Sequence, residues 1–175
     1  MKMWPVVASM ILVTASAYAQ TPYAGMQTRP IKALSEQQIA DLGAGRGMGL
    51  ALAAELNGYP GPVHVLELAA ALALSDEQRA RVAGLFDSMK REAVPLGERL
   101  IAAEAALDRQ FADKTITASS LREATRDIAS VQGELRLAHL KYHLATLELL
   151  TPEQATRYST LRGYGGGQHT PGHHR

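Results

Sequence analysis

From residue 121 onward the apolar positions fall at Leu121, Ala124, Ile128, Val131, Leu135, Ala138, Tyr142, Ala145 and Leu149, in alternating steps of three and four. That spacing keeps one face apolar at the helical period and predicts an amphipathic helix of about 30 residues. A second stripe, Val82, Leu85, Met89, Ala93, Leu96, Leu100, Ala103 and Leu107, steps in the same way and predicts a long helix over 76–111. Pro95 lies inside it. Proline removes one backbone donor and crowds the preceding turn, so the pattern predicts a bend within 91–96. Residues 112–119, ADKTITAS, read as a connector, with Ser120 and Glu123 placed to form the next capping box. Two long helices joined by a short loop pack as antiparallel neighbours. The predicted fold class is all-α, a bent antiparallel hairpin with short flanking helices.

Upstream, residues 35–57 predict a third helix, weakened by Gly43, Gly45, Gly47 and Gly49. The GAGRGMG run has the glycine content of a phosphate loop, but no strand precedes it and no Gly-Lys-Ser/Thr follows, so that reading is rejected. Close backbone packing or a frayed helix accounts for the glycines. GYPGP at 58–62 is a turn, and 63–73 predicts a short helix.

Three pentapeptides share one pattern: LSEQQ at 34–38, LSDEQ at 74–78 and LTPEQ at 150–154. With Ser75 or Thr151 at the N-cap, the hydroxyl accepts from the N3 amide and Gln78 or Gln154 reaches back to the cap. Pro152 then occupies the first helical position, where its missing donor costs nothing, while Leu74 and Leu150 sit one place ahead, able to staple the entry. A helix start worth about 1 kcal/mol explains every residue type in the motif without a ligand.

The N-terminus changes the picture of where the protein acts. Lys2 precedes an apolar run over 3–13, and Ala17-Tyr18-Ala19 follows. This is the pattern of a secretory signal peptide over 1–19, cut after Ala19, and the run is too short to span a bilayer. The expected organisation is then a mobile lead-in over 20–33, a helical domain over 34–162 and a disordered Gly/His-rich tail over 163–175. Losing Lys2 leaves 17 residues of each charge sign in the mature chain. Such balance, with no basic stripe, argues against a nucleic-acid binder. The chain has no cysteine, so stability must come from apolar packing.

LSDEQ opening one long helix and LTPEQ following the next, in a small exported helical chain, resemble the paired LTxxQ motifs of the Spy/CpxP family, which includes ZraP-like and CnrX-like metal-responsive members. The likeness covers roughly 63–161, with Ser75 standing where the family favours threonine. It implies a periplasmic, cradle-shaped homodimer of long bent helices. It implies in turn an ATP-independent chaperone or stress adaptor that holds unfolded clients or an envelope sensor protein, or alternatively a heavy-metal sensor or buffer.

The strongest chemical feature is AHLKYH, where His139 and His143 stand four apart on one predicted helix face, the spacing at which two imidazoles can clasp zinc, nickel or copper. The plain alternative is two partly buried histidines hydrogen-bonded to neighbours. The apolar positions around them, Leu135, Leu137, Ala138, Leu140, Leu144 and Leu147, predict cover on several sides. In CnrX-like sensors, which this resembles, a similar pair lies on the helix before the last LTxxQ. His64, with Glu67 three residues on, is a candidate third ligand; His169, His173 and His174 form a loose tail cluster that would bind metal weakly. Met26, Met48 and Met89 are not expected to cluster; Met89 reads as core, and no copper-methionine site is expected. No Gly-x-Ser-x-Gly, His-Glu-x-x-His or cysteine nucleophile is present, and the acidic pairs read as caps and solvent-face charges, so the chain is not expected to be an enzyme.

Overall fold

The computed structural model describes residues 23–164. The predicted signal peptide and the tail histidines His169, His173 and His174 lie outside the described residues. A 3-10 turn at Met26–Thr28 is followed by α1 (Glu36–Gly43), α2 (Leu52–Glu55), α3 (Pro62–Glu67), α4 (Asp76–Ala112), α5 (Ala118–Leu147) and α6 (Pro152–Leu161), and no strand occurs among the described residues. None of these helices is long and apolar enough to cross a membrane.

α4 and α5 pack along their lengths in opposite directions. Tyr142 donates to Glu92 at 2.7 Å, Arg99 pairs with Glu134 at 3.1 Å, and Gln110 shares a shallow cavity with Glu123. Residue numbers thus rise on one helix as they fall on the other. α4 runs through Pro95 as a single helix, with the exposed ring facing solvent. The buried positions Val82, Met89, Ala93 and Leu100 of α4, and Ile128, Val131, Leu135, Ala138 and Tyr142 of α5, are members of the two predicted stripes.

Two apolar clusters hold the molecule. One joins Ile31, Leu34, Leu42, Ala93, Leu100, Ile128, Val131 and Leu135; the other joins Val65, Ala69, Leu72, Leu74, Val82 and Tyr158. Ile31 belongs to the first, and Lys32 pairs with Asp108 at 3.1 Å, so the lead-in is tied to the bundle before Leu34. Gly97 lets α1 cross α4 at backbone contact: a Cβ there would lie 2.2 Å from the Leu42 carbonyl oxygen.

Three of the expected boundaries differ. The helix expected over 35–57 stops at Gly43, because Gly45, Met48 and Gly49 take left-handed φ values of 66°, 43° and 86° that no α-helix accommodates. α3 ends at Glu67 rather than at residue 73, and Ala73 is itself left-handed at φ 51°. α5 begins one turn earlier than Ser120, capped by Thr117, with Ser120 as the reciprocal partner in place of Glu123.

All three pentapeptides form capping boxes. Two of them also meet. The Gln78 carboxamide donates to Gln154 Oε1 at 2.8 Å and to the Leu149 carbonyl at 2.8 Å, while Gln154 donates to Gln78 Oε1 at 3.1 Å and to the Leu72 carbonyl at 3.3 Å. Each glutamine therefore closes its own cap and clasps the other.

Candidate functional site

Between the two apolar clusters lies a polar layer built on α5. The four-residue spacing of His139 and His143 puts both on the buried face, 3% and 8% exposed. The segment from Gly47 to Gly49, together with α2 and α3, covers them, leaving an open-sided cavity of about 240 Å³ that His64, His139, His143, Glu55, Met48 and Met89 all line. The structure thus brings the three candidate histidines to one place. The cover is one-sided, however: Leu137 and Leu144 point outward, 62% and 53% exposed.

Each donor has a distinct status. His143 Nδ1 lies 2.7 Å from the Tyr59 carbonyl, an acceptor, so this nitrogen carries the proton and the neutral ring keeps its lone pair on Nε2. Holding an imidazole through its second nitrogen in this way is how metal-ligating histidines are oriented. Gly61 backs this ring closely; a Cβ there would lie 2.9 Å from His143 Cε1. His64 Nδ1 is taken by Glu67 at 2.9 Å. His139 Nε2 is enclosed and has no hydrogen-bond partner among the described residues. A buried polar atom left unpaired costs about 1–3 kcal/mol, so its presence asks for a reason.

Sequence reasoning missed Glu55. It is 6% exposed and accepts hydrogen bonds from the Tyr158 hydroxyl, from Tyr164 at 3.3 Å and from the Gly61 amide at 3.1 Å. Arg162 stands 3.5 Å away and His143 Nδ1 3.6 Å away. Burial, and after it the bond to Glu55, push the Tyr158 phenol well above its ordinary range, so it stays a donor. The carboxylate ties α2 to α6 and to Tyr164, which lies inside the stretch expected to be a loose tail. One signal was available: Glu55 is the sole Asp, Glu, Lys or Arg between Arg46 and Glu67. The methionine expectation also changes, since Met48 and Met89 line the same cavity despite lying far apart in the chain.

Burial, with His143 as a second cause, lowers the His139 pKa, so the folded protein keeps this ring neutral. The unfolded chain titrates it at about 6.5 and there binds the extra proton. Stability in chelator is therefore expected to fall as pH drops through about 6.5 and toward the lowered folded value, with His143, His64, Glu55, Arg162 and Tyr164 the other titratable groups facing the same cavity. Urea midpoints taken between pH 8 and pH 5 for the parent and His139→Leu test this, and equal slopes in the two proteins would remove His139 from the account.

Among the described residues, no three His, Asp or Glu side chains stand close enough together to hold one ion as they are placed. Comparison with family models, with curated proteins and with solved structures finds no match in any of the three.

Proposed function

We propose that this is an exported helical binding protein of the Spy/CpxP kind that senses or buffers a transition-metal cation in the cavity over α5. One observation carries the reading: His139 is buried without a partner for Nε2, one helical turn from a His143 whose Nδ1 is already fixed by a carbonyl. A histidine kept only for packing would be expected to find a hydrogen bond. His139 and His143 would hold the ion through Nε2, which for His139 is the tautomer protonated on Nδ1, and the cation would be the partner that His139 Nε2 lacks. His64, held by Glu67 through Nδ1, keeps Nε2 and lines the same cavity, but the three histidines do not stand close enough to share one ion as they are placed. Periplasmic location and a homodimer follow from the signal-peptide pattern and the family resemblance. Holding of unfolded clients is carried by the resemblance alone, whereas the cavity supports the metal reading.

Calorimetric titration of zinc, nickel and cupric ions into the parent and into His139→Ala/His143→Ala tests it. Affinity at the tightest site is expected to fall by at least about tenfold, the smaller of the losses seen even for outer-sphere changes. Unchanged affinity in the variant would move the site elsewhere. Because the paired alanines open a void, His139→Leu alone, close in volume, serves as the folded control.

A further inference from the structure

The glycine run GAGRGMG, which is neither a phosphate loop nor a helix, gains a role from the donors around the cavity. Glu55 is the carboxylate that zinc or nickel would take there, and both its oxygens already accept hydrogen bonds, from Tyr158, Tyr164 and Gly61. His64, held by Glu67 through Nδ1, and His143, held by the Tyr59 carbonyl through Nδ1, each keep Nε2. What remains uncommitted is one nitrogen on each of three imidazoles, His139, His143 and His64, and two thioethers, Met89 and Met48.

Met48 is held there at some cost. Its φ of 43° is left-handed, a region a long side chain seldom enters, and the glycines on either side give the loop room to adopt it. Gly47 lies against the His139 ring, where a Cβ would be 3.4 Å from Nδ1. The loop therefore brings Met48, 43% exposed, into the lining of the cavity next to the glycine that lies against His139, while Met89, 6% exposed, is fixed on α4. Thioether sulfur is a soft, uncharged ligand that favours monovalent copper, whereas zinc sites use thiolate, imidazole and carboxylate.

We infer that the cavity is selective for Cu(I), with Met48 and Met89 completing a soft donor set begun by His139 and His143. This rests on the metal reading above and names the ion. It requires no redox step, because the ion enters and leaves as Cu(I).

The test is an anaerobic competition in which bicinchoninate holds Cu(I) under ascorbate and the full mature chain competes for it. Every protein compared carries alanine at His169, His173 and His174, so that the tail adds nothing. The parent is expected to withdraw Cu(I) from the chelator. Met48→Leu/Met89→Leu, close in volume, is expected to lose at least about tenfold in Cu(I) affinity while zinc affinity stays put. X-ray absorption is expected to show sulfur in the copper shell of the parent and only lighter scatterers in the variant. Met48→Leu alone, at a half-exposed position, repeats the measurement without touching the core. Cu(I) affinity unchanged by the leucines, or zinc bound while Cu(I) is not, overturns the soft-donor assignment and leaves the metal reading standing. If the parent binds none of zinc, nickel, cupric or cuprous ion, the metal reading itself fails and takes this one with it.

Discussion

Adding one methyl group at Gly97 is expected to destabilise the protein by about 3 kcal/mol, the upper end of the usual overpacking cost. The new Cβ would lie 2.2 Å from the Leu42 carbonyl oxygen and 2.8 Å from its carbon. Both are backbone atoms of α1, so no side chain can rotate away and the whole helix must lift. Lifting α1 uncovers Leu42, which is 2% exposed, and disturbs the loop that leaves its C-terminus and lies against His139. Gly84 supplies the internal contrast. It is exposed on the same α4, a Cβ there meets nothing within 4 Å, and Gly84→Ala is expected to stabilise by about 0.5–1 kcal/mol through helix propensity. Urea unfolding of the two alanine variants should therefore move in opposite directions, and a shift of the same sign in both would mean that α1 does not touch α4 in this way.

Replacing Glu55 with glutamine is expected to cost about 3 kcal/mol, the lower bound for removing one member of a buried charged network. The carboxylate has only acceptor capacity, which suits three donors, whereas glutamine keeps one acceptor oxygen, so either the Gly61 N–H loses its acceptor or the tyrosine hydroxyls must turn to accept in place of donating. Arg162, 31% exposed at its side chain, would lose its counter-charge as well. Tyr158→Phe removes one charge-assisted hydrogen bond and should cost about 1.5–3 kcal/mol on its own. Because the two groups touch, the double variant should fall short of the sum, a coupling that urea midpoints of all four proteins measure. Additive losses would show that Glu55 and Tyr158 act separately and that the carboxylate does not anchor α6.

The long helices were legible because burial repeats along them. Val82, Met89, Ala93 and Leu100, or Ile128, Val131, Leu135 and Ala138, each add to one periodic signal, and its phase names the buried face. Caps were legible where the chemistry is local, as at Ser35, Ser75 and Thr151. The start of α5 was misplaced because Thr117 and Ser120 both suit an N-cap, and a serine closes the box where glutamine or glutamate was sought. Both α5 histidines were visible from their spacing, yet the site around them was not. Glu55 sits in ALAAELNG, which looks like any surface helix carrying a charge, and its partners Tyr158 and Tyr164 lie 103 and 109 residues away. Met48 was hidden differently: the backbone turn that brings it to the cavity depends on glycine φ values, and glycine permits such turns without requiring them.

The clasp between Gln78 and Gln154 explains why the same pentapeptide occurs at both places. Each carboxamide is used at both ends, its oxygen by its own cap and by the other glutamine, its nitrogen by the other glutamine and a main-chain carbonyl. Undocking α6 would therefore strand the amide of Gln78 and the carbonyls of Leu72 and Leu149 together, groups that expect partners when partly buried. The first turns of α4 and α6, 76 residues apart, are therefore expected to open together, with matching amide exchange rates as the check. A load applied after Leu161 is expected to reach the start of α4 directly through this clasp.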